Sequence, residues 1–257
     1  GTKPLRLKPP EIKRYKWHDE VRGDLEAGEE ELDDFVLIKA DGYPTYNFAH
    51  IVDDHEMGVT HVLRADEFIS STPKFLSLYD ALGIPVPVFG TLPPILRDDR
   101  TKKLGKRDGA KDILEYRDEG YLPDAMVNFL ALIGWNPGGE RELFSMKELI
   151  EKFDLSKVQK SGGAFNVEKL DWMNREYIKK IPPDTMRELI KERGGEKLLN
   201  PTLLPLVLDR ITTLKDIEVL ASPDGEFSFV FGTPSYEPAL LKTPEFLDDV
   251  ITRVETV

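Results

Sequence analysis

The sequence predicts an α/β protein in which a parallel β-sheet is followed by a region made of helices. Two observations support this fold class. Short apolar runs alternate with helical patterns between residues 35 and 92, which is typical of parallel βαβ units. From Gly109 onward the strand signals stop, and apolar residues recur at helical spacing. Because parallel sheets bind ligands at the carboxyl ends of their strands, we expect a functional site at that edge.

The composition is that of a folded, acidic protein. The 257 residues carry 35 basic and 47 acidic side chains, a formal net charge of −12, and 40% of the residues are hydrophobic. No apolar run approaches the roughly 20 residues that a membrane-spanning helix needs, so we expect no membrane role. The chain has no cysteine, which excludes disulfides, thiolate zinc sites and thiol nucleophiles.

Three strands and two helices are predicted within the first 92 residues. The strands are expected at residues 35–38, 61–63 and 86–92. The first helix is expected from about Pro44, because proline is tolerated in a first turn, until Gly58 ends it. The second helix is expected after Thr72 as N-cap and Pro73 as its first residue, with Gly83 at its end.

The charged N-terminal part and the helical region complete the chain. Residues 1–33 are rich in charge and are expected to contribute little core. Further helices are expected at residues 111–118, at 123–134, after a Ser-x-x-Glu capping box at 145–148, and after Asn166 as a cap. Pro182-Pro183 interrupts the helical pattern and predicts a domain boundary, beyond which residues 184–257 read as separate helical pieces.

A basic loop follows the third predicted strand. Residues 97–111 contain seven basic and three acidic side chains, and Gly105 permits close approach of the backbone. Such a loop is suited to compensating phosphate charge as that charge redistributes in a transition state. From composition alone, a solvated charged loop is the more ordinary interpretation, so both stay open here.

The first helix carries a second candidate group. Tyr46 and His50 are four residues apart and share a face, so both side chains can point toward one ligand. The acidic and imidazole side chains of residues 53–56 also suggest a metal site. Because neighbouring helical positions diverge by about 100°, only one or two of them could meet a single ion, and solvated or capping roles are favoured. We therefore predict no metal site.

A third candidate is the arginine that follows the second strand. Arg64 would face the ligand crevice, where a guanidinium can grip a carboxylate through two parallel hydrogen bonds. A structural ion pair with Asp66 or another neighbour explains the same residue equally well.

Six stretches together resemble a known family. They are residues 41–49, 52–55, 57–64, 70–74, 103–107 and 162–174. Their order and spacing resemble a bacterial-type glutamyl-tRNA synthetase, a class I aminoacyl-tRNA synthetase, over roughly residues 3–180. The resemblance implies the second half of a class I Rossmann-type parallel sheet, then an α-helical stem-contact domain and the start of a helical anticodon-binding domain.

The resemblance also implies domain boundaries. They are residues 1–33 as the remnant of an acceptor-binding insertion, 34–108 as the C-terminal half of the nucleotide-binding catalytic fold, 109–180 as the stem-contact domain and 181–257 as the start of the anticodon-binding region. The implied activity is that of a glutamate–tRNA ligase, which activates glutamate with ATP and transfers it to the 3′ end of tRNA(Glu). ATP with Mg²⁺ is then a substrate, with no bound prosthetic group and no zinc, and the implied location is cytoplasmic.

The resemblance assigns roles to particular residues. Residues 103–107 correspond to the second class I signature, in which Lys103 and Lys106 would be the catalytic residues that stabilise the departing pyrophosphate. The implied ATP-binding residues are Ile95, Leu96, Lys103, Leu104, Gly105, Lys106 and Arg107. The implied glutamate-binding residues are Tyr46, His50 and Arg64, with Arg64 contacting a carboxylate.

The chain departs from the family pattern in three ways. Gly105 replaces the usual serine of the signature loop, and His50 stands where many members have asparagine. No motif of the His-Ile-Gly-His type is found. We therefore expect a fragment that lacks the N-terminal half of the catalytic fold, which would be its partner in catalysis, and that is inactive or nearly so alone.

Two other functions remain as alternatives. A non-catalytic tRNA-binding or partner-binding module derived from a synthetase would show the same signatures. A relative that glutamylates a tRNA base would share the catalytic part, but the helical stretch after Gly109 disfavours it.

Overall fold

The computed structural model describes residues 3–9, 13–27, 32–105, 107 and 110–231. Its strands are β1 (Leu5–Arg6), β2 (Tyr15–Asp19), β3 (Gly23–Ala27), β4 (Val36–Ile38), β5 (His61–Ala65), β6 (Val88–Leu92), β7 (Ile95–Leu96) and β8 (Gly163–Ala164). Its helices are α1 (Tyr46–Glu56), α2 (Thr72–Leu82), α3 (Ile113–Asp118), α4 (Pro123–Gly134), α5 (Met146–Lys152), α6 (Val167–Ile178), α7 (Pro183–Glu192), α8 (Leu204–Arg210), α9 (Asp216–Ala221) and α10 (Ser228–Phe231).

The described residues form two compact units. The first consists of those within 1–117 and 121–177, and the second of those within 118–120 and 178–257. Strands β1 to β8 all belong to the first unit, and helices α7 to α10 belong to the second. No helix among the described residues is long and apolar enough to cross a membrane.

The main sheet of the first unit has four strands in the order β3-β2-β6-β5. Strands β5 and β6 are parallel over their whole length, from the pair His61 and Val88 to the pair Ala65 and Leu92. Strand β2 also runs parallel to β6, whereas β3 is antiparallel to β2. The predicted α/β class with a parallel sheet is confirmed, and β5 and β6 are the predicted second and third strands.

The prediction that residues 35–38 belong to this parallel sheet is wrong. Strand β4 instead pairs antiparallel with β1 in a separate two-stranded sheet. The backbone N–H of Leu7 extends this pairing by donating to the carbonyl oxygen of Phe35 at 3.0 Å. Apolar side chains of the early chain, such as Leu7, hold β1 in place by joining the same core as β4.

The expectation that residues 1–33 contribute little core is also wrong. Tyr15 and Val21 are 7% and 4% exposed, and Asp19 is fully buried. Charged residues alternate with the buried ones along β2, so the strand presents one face to the core and the other to solvent. The overall charge of the segment conceals this period-two pattern.

Helices α1 and α2 cover the sheet with their apolar faces. Ile51, Phe75 and Leu78 are at most 1% exposed and lie in one hydrophobic core with the strands. Gly83 ends α2 with a left-handed φ of 65°, as predicted. The start of α2 lies one residue earlier than predicted, because Ser71 is the N-cap and the Thr72 hydroxyl donates to the carbonyl oxygen of Phe68 at 2.9 Å.

The helical part of the first unit follows the predicted caps. Ser145 and Glu148 form the capping box of α5, with the Glu148 backbone N–H donating to Ser145 Oγ at 3.3 Å. The side-chain oxygen of Asn166 accepts from the Lys169 backbone N–H at 2.6 Å and so caps α6. The core between α4 and α6 includes Phe129, 2% exposed, and the fully buried Leu170 and Met173.

The second unit packs its short helices around a small apolar core. Its fully buried apolar side chains are Ile190, Leu198, Val207, Ile211 and Ile217. Gly120 belongs to this unit and accepts a hydrogen bond from the Leu214 backbone N–H at 3.0 Å. Its φ of 87° and the closeness of the Leu214 and Lys215 backbone leave no room for a side chain there.

Candidate functional site

Tyr46, His50 and Arg64 form one cluster near the carboxyl end of β5. Arg64 lies opposite Thr91 of β6 in the parallel register, and Tyr46 and His50 occupy the first two turns of α1. The rings of Tyr46 and His50 have centroids 4.9 Å apart, as expected for an i, i+4 pair. Arg64 Nη2 donates to His50 Nδ1 at 3.0 Å. The structure therefore brings together all three side chains that were predicted to bind the amino acid.

The Arg64 guanidinium is held by aromatic rings as well as by His50. Its central carbon lies 4.7 Å from the ring centroid of Phe75 and 5.3 Å from that of Phe68, distances at which cation–π attraction operates. Its Nη1 atom is buried and has no hydrogen-bond partner among the described residues. The ion pair with Asp66, the other interpretation of the sequence, is not formed within the described chain.

His50 is an almost completely enclosed imidazole. Only 11% of its side chain is exposed, and its ring meets Phe75 edge-on at a centroid distance of 4.8 Å. Burial, and after it the positive charge of Arg64, lowers the pKa of His50 from 6.5 to about 4. The imidazole is therefore neutral at pH 7, and a neutral ring nitrogen can accept the hydrogen bond from Arg64.

Tyr46 forms the exposed rim of this cluster. It is 58% exposed, and its ring lies 6.2 Å from that of Phe68 between centroids. The cluster thus has an exposed phenol at its rim and an enclosed imidazole and guanidinium behind it. This arrangement suits a ligand whose polar end enters the cluster.

The basic loop begins as a narrow turn after β7. The Leu104 backbone N–H donates to Ile95 at 2.8 Å, and the Arg97 N–H donates to Lys102 at 3.0 Å. This pairing brings the chain from Ile95 and Leu96 of β7 back to Lys103. Of the other predicted ATP-binding residues, the structure describes Gly105, whose carbonyl oxygen accepts from Ala110, and the exposed Arg107. Lys106 lies outside the described residues.

Lys103 connects this loop to the segment that contains Arg64. Its Nζ lies 3.1 and 3.2 Å from the two carboxylate oxygens of Glu67, three residues after Arg64. The hydrogen bond from Lys103 is the main reason that the pKa of Glu67 is lowered. Both side chains are more than half exposed, so the pair is accessible to solvent and to a ligand.

The acidic and imidazole side chains at residues 53–56 do not converge on a single position. Among the described residues, no group of three or more such side chains is arranged to hold a metal ion. Asp54 turns back toward the cluster, with its carboxylate 3.8 Å from His50 Nδ1, while Asp53, His55 and Glu56 are exposed.

Comparison with known proteins identifies the family. The family model for class I tRNA synthetases (E and Q), catalytic domain, matches residues 1–172. The chain belongs to this synthetase family. The resemblance predicted from the sequence is thereby confirmed.

Individual synthetases match most of this chain. A glutamate–tRNA ligase of Clostridium botulinum strain Loch Maree is 40% identical over 98% of the chain and 54% of its own length. One from strain Hall is 48% identical over 92% of the chain and 48% of its own length. The crystal structure of a glutamate tRNA ligase from Elizabethkingia meningosepticum in complex with its amino acid superposes with a TM-score of 0.81 at 32% identity, covering 96% of this chain and 53% of that one. The chain spans about half the length of the curated relatives that it matches.

One buried carboxylate of this synthetase domain was missed by the sequence analysis. Asp19 Oδ1 accepts from the backbone N–H groups of Val21, Arg22 and Thr91 at 2.8 to 3.0 Å, and Oδ2 accepts from the Thr91 hydroxyl at 2.6 Å. Burial alone would raise the pKa of Asp19, but these hydrogen bonds outweigh burial and lower it. Asp19 thereby ties the end of β2 to the end of β6, next to Arg64.

Asp19 and Arg64 line the same small cavity. It has a volume of about 10 Å³, and Trp17, Thr72 and Thr91 also contribute to its wall. That volume suffices for about one water molecule. A signal for Asp19 was present in the sequence, because it follows the alternating Tyr15 and Trp17 and precedes a turn glycine.

The basic loop is also fixed to the helical part of the first unit. Strand β7 pairs in parallel with β8, and the Asn166 side-chain nitrogen donates to Asp98 at 2.9 Å. Gly163 is required in β8 because a Cβ atom there would collide with the carbonyl oxygen of Ile133. The base of the loop is therefore anchored, whereas Lys102, Lys103 and Arg107 are exposed.

Proposed function

We propose that this chain supplies part of the active site of a glutamate–tRNA ligase. The enzyme activates glutamate with ATP to glutamyl-adenylate and then transfers the glutamyl group to the 3′ end of tRNA(Glu). The observation that carries this proposal is the Arg64 guanidinium beside an exposed tyrosine. It is held against two aromatic rings, and its Nη1 has no partner among the residues that the structure describes. Membership of the class I E and Q family supports the same reaction.

In this proposal the cluster recognises glutamate. Arg64 donates to a carboxylate of the substrate, because a guanidinium presents parallel N–H groups that match carboxylate geometry. The exposed Tyr46 ring covers the aliphatic part of the substrate. His50 belongs to the same pocket through its hydrogen bond to Arg64.

The signature loop provides the positive charge that the first chemical step needs. A carboxylate oxygen of glutamate attacks the α-phosphate of ATP, and pyrophosphate leaves with an extra negative charge. We propose that Lys103 and Lys106 stabilise this charge, and that Mg²⁺ accompanies the ATP. The wider ATP-binding set would be Ile95, Leu96, Lys103, Leu104, Gly105, Lys106 and Arg107. The contact between Lys103 and Glu67 supports a place for the loop beside the glutamate cluster.

The remaining parts of the chain would serve tRNA. We propose that residues 1–33 continue an insertion that binds the acceptor end and that residues 34–108 complete the nucleotide-binding fold. Residues 109–180 would support the stem of tRNA, and residues 181–257 would begin the anticodon-binding region. We propose a cytoplasmic location, because the chain belongs to a tRNA synthetase family.

Activity is expected from the complete gene product rather than from this stretch alone. The curated relatives are about twice as long as the part that the chain matches. A class I active site needs all its groups in position at once, since catalysis depends on transition-state interactions that act together. We propose that the isolated 257 residues show little or no aminoacylation.

The test is glutamate-dependent exchange of pyrophosphate into ATP by the complete gene product. We expect Arg64→Leu to lower kcat/KM for glutamate by about a hundredfold or more, because the partner carboxylate would be left unpaired in the pocket. Arg14→Leu, which removes an exposed arginine that pairs only with Glu26 among the described residues, is the matched control and should change it little.

A measurement of folding distinguishes a binding role of Arg64 from a structural role. Circular dichroism should show that Arg64→Leu is folded, and a variant that melts instead would favour a structural role for Arg64. Exchange that is absent from the wild-type protein would contradict the ligase proposal. If tRNA nevertheless binds, the chain would be a non-catalytic tRNA-binding module.

A further inference from the structure

The His50 side chain is largely enclosed and is hydrogen-bonded to Arg64, the arginine of the proposed pocket. Only 11% of its side chain is exposed, whereas Tyr46, one helical turn earlier, is an exposed residue. Its ring is enclosed by Tyr46 on one side and by Phe75 on another, at centroid distances of 4.9 and 4.8 Å. It makes a polar contact with Arg64 Nη2, which lies 3.0 Å from Nδ1. A side chain in this position acts on a ligand mainly through the arginine.

The hydrogen bond defines the chemical state of the imidazole. A guanidinium has only donors, so the ring nitrogen that it meets must carry a lone pair. Nδ1 is closer than Nε2, which lies 3.4 Å from the same Nη2 atom. With Nδ1 as the acceptor of this hydrogen bond, the proton of the neutral ring is on Nε2. The charged groups that face this ring are Arg64 and, at 3.8 Å, Asp54 of the same helix.

The two terminal nitrogens of Arg64 are in different situations. Nη2 is occupied by His50, while Nη1 is buried without a partner among the described residues. Phe75 and Phe68 restrict the guanidinium plane, but a ring face offers no directional acceptor that would fix its rotation. The His50 acceptor supplies that direction.

We propose that His50 is a positioning residue, whose neutral imidazole holds the Arg64 guanidinium in the orientation that binds the substrate carboxylate. The inference rests on the proposed glutamate–tRNA ligase function and assigns His50 to the arginine rather than to the substrate itself. What the position requires is then an uncharged acceptor near the place of Nδ1. An asparagine side-chain oxygen meets this requirement, whereas an aliphatic side chain does not.

The experiment compares His50→Leu, His50→Ala and His50→Asn in the complete gene product, with glutamate-dependent pyrophosphate exchange as the assay. We expect both acceptor-free variants to raise the KM for glutamate by about tenfold or more, because a hydrogen bond to a charged group is lost. Their kcat at saturating glutamate and their KM for ATP should change by less than about threefold, since a positioning contact acts on binding. His50→Asn should recover most of the lost affinity.

The matched control is His55→Leu, an exposed histidine of the same helix, which should leave both KM values unchanged. Equal KM values for glutamate in the wild type and in the acceptor-free variants would overturn the inference. A fall in kcat with unchanged KM for glutamate would also overturn it. If the wild type neither exchanges pyrophosphate nor binds glutamate, the proposed function fails and the inference fails with it.

A measurement without mutation keeps the inference testable if the variants do not fold. ¹⁵N NMR of wild-type protein that contains ¹⁵N-labelled histidine should show, at pH 7, His50 as the neutral tautomer with its proton on Nε2. Addition of glutamate should shift the Nδ1 resonance, because an ion pair with the glutamate carboxylate changes the polarisation of the Arg64 guanidinium, which donates to Nδ1. A doubly protonated His50, or an Nδ1 resonance unchanged at saturating glutamate, would overturn the inference.

Discussion

At the scale of single residues, His50 makes the stability of the first unit depend on pH. Burial and Arg64 lower its pKa from 6.5 to about 4 in the folded state. Between these values the unfolded chain binds more protons than the folded chain, so the free energy of unfolding falls as pH falls from 6.5 to about 4. At roughly 1.4 kcal/mol per pKa unit, the full effect is on the order of 3 kcal/mol.

The measurement is urea unfolding of the wild type and His50→Asn between pH 4.5 and 7.5. As pH falls, we expect the free energy of unfolding of the wild type to decrease relative to that of the variant, because asparagine does not titrate. Groups such as His18, whose pKa is raised by its hydrogen bond with Asp24, are common to both proteins and cancel in the difference. Parallel stability curves would show that the pKa of His50 is the same in the folded and unfolded states.

The residues of the candidate site were predictable to different degrees. Tyr46 and His50 follow from helical spacing, and Arg64, which was predicted to follow the second strand, lies within β5. The partners of Arg64 were not predictable, because Phe68 and Phe75 read from sequence only as apolar residues that belong in a core. The state of His50 depends on this enclosure, which a one-dimensional pattern does not contain.

At the scale of elements, Asp19 joins three pieces of chain with one carboxylate. It receives hydrogen bonds from the turn that connects β2 to β3 and from the end of β6. We expect Asp19→Leu to lower the free energy of unfolding by about 3 kcal/mol or more, because three backbone N–H groups and a hydroxyl lose their acceptor in a buried place. Chemical denaturation monitored by tryptophan fluorescence measures this change.

The matched variant is Asp19→Asn, which keeps one oxygen for the backbone donors. It should cost about 1 to 2 kcal/mol, since charge-assisted hydrogen bonds are replaced by neutral ones. Asp53→Asn, which changes an exposed aspartate of helix α1, is the control for loss of charge alone. If the leucine and asparagine variants were equally stable, the hydrogen bonds of Asp19 would not be what holds these elements together.

Helices were easier to predict than strands in this chain, for a physical reason. Helix ends are determined by neighbouring residues, as in the Ser145 capping box and the left-handed Gly83, so a short stretch of sequence specifies them. Strand pairing joins distant parts of the chain. The pairing of β1 with β4 and the entry of β2 beside β6 depend on contacts across about 30 and 70 residues, which composition does not reveal.

At the scale of the whole molecule, the charge distribution sets how tRNA would be bound. The chain carries a net charge of −12, yet residues 97–111 hold seven basic and three acidic side chains. Charges more than about 8 Å apart are screened at physiological ionic strength, so distant carboxylates weaken binding less than local lysines and arginines strengthen it. Direct phosphate contacts release counterions from RNA, which makes the affinity fall as salt rises.

We therefore expect the complete gene product to bind tRNA(Glu) with modest affinity that falls about tenfold or more between 50 and 200 mM KCl. Fluorescence anisotropy of labelled tRNA measures this change. Glutamate affinity, measured by calorimetry over the same range, should change much less, because we propose that its carboxylate binds Arg64, whose Nη1 is buried rather than at an exposed surface. A tRNA affinity that is independent of salt would mean that base contacts or apolar surface dominate recognition. A glutamate affinity that falls in parallel with the tRNA affinity would place the amino acid at the exposed basic loop instead of at Arg64.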